Sequence, residues 1–140
     1  MIHKRSIKIT TADRWFSKYI RIRDAYDNGY CHCCTCGKVF FWKYIQAGHF
    51  VSRGKYATRF NEENVHAQCA YCNSQVGGKG KEWEHGEYID TLYGNGTAKK
   101  LKNIGNIRGQ KVSSFMLKDI ADTYRQKTKD IAKKKGLELK

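Results

Sequence analysis

Hydrophobic positions along this chain keep two rhythms, one helical and one extended. Over Thr11–Asn28, Trp15, Tyr19, Ile22 and Tyr26 recur at spacings of four, three and four, with Phe16 and Ile20 alongside. That period predicts an amphipathic helix with Thr11 as its N-cap and Gly29 as its stop. Residues 38–51 are rich in aromatic and β-branched side chains and predict a hairpin or strand pair, with a short further strand over Asn64–Gln68. The polar stretch 52–63 reads as a loop, and a helix is expected from Cys69 toward Gly77 and Gly78. Glu82–Tyr93 predicts another helix and Ala98–Lys102 a helical turn. Ser114 reads as the N-cap of a terminal helix ending near Gly136, with Leu117, Ile120, Ala121, Tyr124, Thr128 and Ile131 on one face. Residues 1–10 read as an extended basic arm. The expected architecture is one α+β domain: arm and helix over 1–29, a core over 30–80, and a helical extension over 81–140.

Charge narrows the choice of partner. The 140 residues hold 27 Lys and Arg against 13 Asp and Glu, a formal charge of +14. A surface so basic attracts polyanions. Apolar residues make up 40% of the chain, enough for a modest core, so wholesale disorder is excluded. The longest apolar run, Val39–Trp42, falls far short of the roughly 20 residues that cross a bilayer. Charges interrupt the opening segment, so no secretion signal is read there. The expectation is a soluble cytoplasmic protein that binds nucleic acid, with no membrane and no small-molecule substrate.

The six cysteines are unevenly placed. Cys33-x-x-Cys36 and Cys69-x-x-Cys72 form two chelating pairs, and in a reducing compartment such pairs hold a metal. A two-residue spacer lets both sulfurs of a pair face one ion at about 2.3 Å, which suits a structural Zn²⁺. Cys31-x-x-Cys34 offers a competing register, and His32 is another potential ligand. Gly37 favours Cys33 and Cys36, because a knuckle turn at that point needs a positive φ.

Between the cysteine pairs lie His49, Asn64 and His66, and Asn73 directly follows Cys72. A strand histidine, then an asparagine, then a helix-borne ligand beside the last cysteine is the order of a ββα-metal (His-Me finger) nuclease. Each part has a chemical reason. The histidine takes a proton from water so that it can attack phosphorus. A divalent cation, Mg²⁺ or Mn²⁺, neutralises charge on the scissile phosphate and the departing oxygen. The side-chain carbonyl of Asn73 is a hard oxygen suited to that cation. His66 has three readings: a second ligand of the catalytic metal, a phosphate contact, or a structural strand residue.

The chain also resembles the phage recombination endonucleases of the NinG (Rap) type. The resemblance lies in Cys33-x-x-Cys36-Gly37, AGHF (Ala47–Phe50), RFNEENVHAQC (Arg59–Cys69) and Cys72–Asn73. It continues more loosely through Asp13–Arg23, Glu87–Gly94 and Tyr124–Lys129. It implies a zinc-stabilised, treble-clef-like HNH core with flanking helices, and cleavage of branched intermediates such as Holliday junctions and D-loops. By position, Cys33, Cys36, Cys69 and Cys72 would bind zinc and His49 would be the base. Asn64 would join His49, bracing the loop or supporting the ring, and Asn73 would hold the catalytic metal. One departure stands out: many members of the wider superfamily carry Asp just before the base histidine, and here that residue is Gly48. Glu62, Glu63 or Glu82 could substitute.

Arg53, Lys55 and Arg59, in the loop between the expected base and Asn64, together with Lys79 and Lys81, are expected to grip the DNA backbone. Arg5, Lys8, Lys99, Lys100 and Lys102 could extend the track. No recognition-helix pattern stands out, so the expected preference is for shape. Two symmetric cuts in a junction imply a homodimer, and the apolar stripe of the terminal helix is the expected contact. Two rivals share part of the evidence: a non-catalytic zinc-finger accessory protein of recombination, and a sequence-specific HNH endonuclease.

Overall fold

The structure, a computed structural model, describes residues 7–140; Arg5 and most of the arm lie outside them. Helix α1 (Thr11–Arg23) opens with a capping box in which Thr10 and Asp13 satisfy each other's backbone N–H groups. The N-cap is therefore Thr10, one residue earlier than expected, and the helix ends well short of Asn28. Asp24 is the reason for the early end. Its carboxylate accepts from the Ala67 N–H at 2.8 Å and from Arg23 Nε at 2.8 Å, which ties the helix end to a strand.

The middle of the chain builds two small sheets. Strands β1 (Tyr30–His32) and β2 (Val39–Phe41) pair antiparallel around the first cysteine pair. Strands β3 (Gln46–His49) and β4 (Val65–Gln68) pair antiparallel with His49 opposite Val65 and Gly48 opposite His66. Residues 38–51 therefore do not form a hairpin; they give one strand to each sheet. The 3₁₀ turn Trp42–Tyr44 separates them, with the Trp42 side chain buried and its backbone N–H donating to the Gly29 carbonyl at 2.8 Å. Burying the indole outweighs continuing an extended strand.

A single helical turn, α2 (Tyr56–Arg59), lies within the expected loop. Helix α3 (Ala70–Asn73) is also one turn rather than a run to Gly77. The glycine segment folds back on it: Gly78 and Gly80 donate to the Tyr71 and Cys72 carbonyls at 2.8 and 2.7 Å. Those carbonyls are the ones a longer helix would have used. A Cβ at Gly78 would stand 2.7 Å from the Cys72 backbone, so the return needs glycine.

Helix α4 (Glu82–Tyr93) has the expected bounds, and α5 (Thr97–Gly105) extends further than the expected turn because it buries Leu101 and Gly105. Helix α6 (Ser114–Lys135) is capped by Ser113, one residue before the expected Ser114, because the Ser113 side chain accepts from the Met116 N–H, and it is closed by Gly136 at φ 70°. It lies along α1, burying Ala121, Tyr124, Thr128 and Ala132. Phe16, Tyr19 and Ile20 of α1 join Val65 and Tyr124 in one core cluster. Ile22, Trp42, Ile45 and Ala67 gather around Cys31, Cys33, Cys69 and Cys72 in a second. The apolar stripe of α6 is thus covered by its own chain and does not offer the expected dimer face. Among the described residues, no helix is long and apolar enough to cross a membrane.

Candidate functional site

The knuckle between β1 and β2 brings Cys33 and Cys36 against Cys69 and Cys72 at the start of α3. All four sulfurs lie within 4.8 Å of one another, and Cys36 Sγ is 3.8 Å from Cys69 Sγ. Four thiolates around Zn²⁺ at about 2.3 Å leave tetrahedron edges of about 3.8 Å. The cluster therefore fits a metal such as zinc. The backbone N–H of Cys69 donates to Cys33 Sγ at 3.3 Å, and that of Cys72 to Cys69 Sγ at 3.5 Å. Burial works against ionising Cys33, yet N–H groups of Cys69, Cys36 and Thr35, with the Thr35 hydroxyl, bring its thiol down to about 6. Cys36 and Cys72 move up, first through burial and then through the neighbouring sulfurs. A central dication reverses that repulsion.

Gly37 adopts φ 77°, and its N–H returns to the Cys33 carbonyl at 2.9 Å, as the knuckle requires. Cys31 and Cys34 stand outside the cluster. Cys31 is buried beside the Phe40 carbonyl, and burial pushes both thiols up, Cys31 to about 11.

The last residue of β3 and the last residue of α3 meet in one groove. His49 and Asn73 line two adjoining concavities that also share Ala47 and Arg53. The His49 ring nitrogen Nε2 lies 3.0 Å from the Arg59 carbonyl. A carbonyl only accepts, so Nε2 carries the proton and Nδ1 keeps its lone pair. Burial pushes His49 down to about 4, and the nearby Arg53 charge acts in the same direction. The imidazole is therefore neutral at ordinary pH, with an unprotonated nitrogen to offer. Across the groove, the Asn73 Nδ2 donates to Gln46 Oε1 at 3.0 Å, which orients the amide and leaves its Oδ1 available as an oxygen ligand.

The other expected residues fall in four places. Arg53 and Lys79 line the groove, and Arg53 Nε is a buried donor with no partner among the described residues. Lys55 lies instead on a separate concavity beside Asn106 and Arg108, and Lys81 sets the left-handed turn that opens α4, at φ 49°. Asn64 is fully buried; it accepts from the Val51 N–H at 2.8 Å and donates to the Val51 and Thr58 carbonyls. It braces the loop behind His49 and does not reach the groove.

Two expectations are corrected by burial. Arg59 is not a DNA contact: it is 2% exposed and forms a two-pronged ion pair with Asp13, at 2.6 and 2.9 Å. Burial raises the Asp13 carboxyl, but the bond from Arg59 and the Thr10 contacts outweigh it and leave it below its usual value. The pair anchors the residue whose carbonyl holds His49. His66 is likewise no ligand at the groove. It is fully buried, with Nδ1 3.1 Å from His85 Nε2 and Nε2 3.0 Å from the Tyr93 hydroxyl. Directly opposite it, Gly48 has no room for a side chain, since a Cβ would stand 2.1 Å from Gln68 Oε1. An aspartate at that position would require the Gln68 side chain to shift.

The groove also has a wall that the sequence reading missed. Arg14, Lys18 and Arg21 line it from α1, beside Ala47 and His49. Their spacing puts them on one helical face, a signal present in the sequence beside the apolar stripe. Glu82, at the start of α4, reaches the same groove, whereas Glu62 is held by the Tyr124 hydroxyl and Lys127.

No curated protein and no solved structure matches the chain. A family model described as Bacteriophage Lambda NinG protein matches residues 1–135, and the chain belongs to the NinG family.

Proposed function

We propose that this chain is a divalent-metal-dependent DNA endonuclease with a ββα-metal core, acting on branched recombination intermediates in the cytoplasm of the phage's bacterial host. One observation carries the reading: His49 and Asn73 share a groove walled by Arg14, Lys18, Arg21, Arg53 and Lys79. In the proposed reaction, His49 Nδ1 takes a proton from water. The water oxygen forms a bond to phosphorus, the bond from phosphorus to the 3′ oxygen breaks, and the departing 3′ oxygen takes a proton from solvent water. The products are a 5′-phosphate and a 3′-hydroxyl. Asn73 Oδ1 would hold Mg²⁺ or Mn²⁺, and Glu82 is the carboxylate placed to assist. A bound cation of this kind supplies charge neutralisation at the phosphate and the departing oxygen. Zinc at the four cysteines would clamp β3 and β4 to α3, which fixes the distance between imidazole and carboxamide. The arginines and lysines supply backbone contacts without reading bases.

A four-way junction takes two symmetric cuts, so two copies act together, through a surface other than the α6 stripe. The test is cleavage of a four-way junction and of a matched duplex, with and without Mg²⁺, by the intact chain and by His49→Ala. The expected result is Mg²⁺-dependent junction cleavage, lost in the variant while DNA binding stays. Binding without cleavage in the intact chain would leave only a DNA-binding zinc module.

A further inference from the structure

A second cavity opens beside the groove, between α4 and α5. Its volume is about 450 Å³, within the roughly 300–1,000 Å³ of small-ligand sites. Phe50 follows His49 in the chain and lines both spaces, as does Glu82. The two are therefore contiguous at the proposed base. Phe50 forms the cavity floor because Gly86 above it has no side chain; a Cβ there would stand 3.2 Å from the ring. Trp83 lines the wall while 76% exposed. Lys102 sits 5.3 Å over the Phe50 ring and pairs with Glu82 at the threshold between the two spaces. Of the residues that line this cavity, the proposed cleavage uses Glu82 alone.

We infer that it receives one unpaired nucleobase of the DNA lying in the groove, an inference that rests on reading the groove as a DNA site. Three features support a base over other occupants. Two aromatic side chains in the lining, Phe50 and Trp83, suit a π-face, which every base has. The Glu87 carboxylate on the same helix face can accept hydrogen bonds from exocyclic amines. Lys99 on the opposite helix is placed to meet the flanking phosphate. Extracting a base from an intact duplex costs stacking and pairing, and costs least where both are already interrupted. A cavity of this kind therefore favours a branch point over a continuous duplex without reading sequence.

The test uses the full chain, with Ca²⁺ in place of Mg²⁺ so that binding proceeds without cutting. The probes are a four-way junction carrying 2-aminopurine at the branch point and a matched duplex carrying it at the same position. On the junction, wild-type protein should change the 2-aminopurine emission. Trp83→Ala should abolish that change and weaken junction affinity about 5- to 100-fold, the range of base–aromatic stacking, while duplex affinity stays as it was. Ala98→Phe, which fills the cavity from the α5 side, should do the same. Silent emission with the wild type overturns the inference, as does an equal loss of junction and duplex affinity in both variants. If emission and affinities behave as stated but no DNA is cut in Mg²⁺, the nuclease reading falls and the base cavity stands.

Discussion

The β3–β4 sheet carries a histidine on each of its faces, and the two have opposite surroundings. His49 sits on the face toward α1 and the groove; His66, opposite Gly48, sits on the face toward α4. Burial pushes both well below the usual imidazole value, to about 4 and about 2. A depressed pKa therefore does not separate a base from a packing residue here. The difference lies in the ring nitrogens. One His49 nitrogen is held by a carbonyl and the other keeps its lone pair beside a groove, whereas both His66 nitrogens are engaged inside the protein.

The widest disturbance of this contrast would be loss of a metal from the four-cysteine cluster, which could hold zinc. Chelating zinc should remove a term on the order of 10 kcal/mol from folding, so the 30–80 region should unfold and cleavage should vanish. Circular dichroism with and without a chelator checks this; an unaltered spectrum after verified metal loss would refute it.

Next come the histidines themselves. His49→Ala should slow cleavage by about 10²- to 10⁴-fold with little change in melting temperature. His66→Ala should instead cost about 3 kcal/mol of stability, since it opens a cavity and leaves His85 and Tyr93 without their partner. Paired denaturation and cleavage measurements decide the matter, and the contrast breaks if the two variants behave alike.

Removing Asp13 tests the support of His49 from outside the sheet. Asp13→Ala leaves the Arg59 guanidinium buried and unpaired, at a cost of about 3–5 kcal/mol. Urea unfolding should show that loss. An effect confined to DNA affinity would return Arg59 to the phosphate-gripping role.

The most gradual effect is expected in acid. His66 and His85 are buried and pushed down to about 2 and about 4, mainly by desolvation, against about 6.5 in an unfolded chain. Below pH 6.5 the unfolded state binds more protons, so stability should fall as pH drops. The slope is on the order of 1 kcal/mol per unit for each histidine. Above pH 6.5 these groups add no dependence. His85→Phe should make the acid slope shallower, and an unchanged slope would exclude this origin.

Local patterns carried much of this structure. The chelating cysteine pairs, the knuckle glycine and the bounds of α4 and α6 are legible because each depends on neighbours in sequence. The end of α1 at Asp24 was not, since its partner, the Ala67 amide, lies in a distant strand. The same reason hides the division of residues 38–51 between two sheets. Among the site residues, a charge in a loop looks alike in sequence whether it faces solvent or a buried carboxylate. That ambiguity makes Arg59 look like a DNA contact, and it equally hides the cationic face of α1, whose Arg14, Lys18 and Arg21 resemble any solvated helix face until the groove forms beside them.

The sequence by itself determined the residue types and their order: four thiols to gather a metal, an imidazole, a carboxamide, and an excess of positive charge. Tertiary structure decided which copies of each type are available. It placed His49 and Asn73 in a shared groove and enclosed His66, Asn64 and Arg59, because hydrogen-bond satisfaction and burial depend on partners remote in the chain.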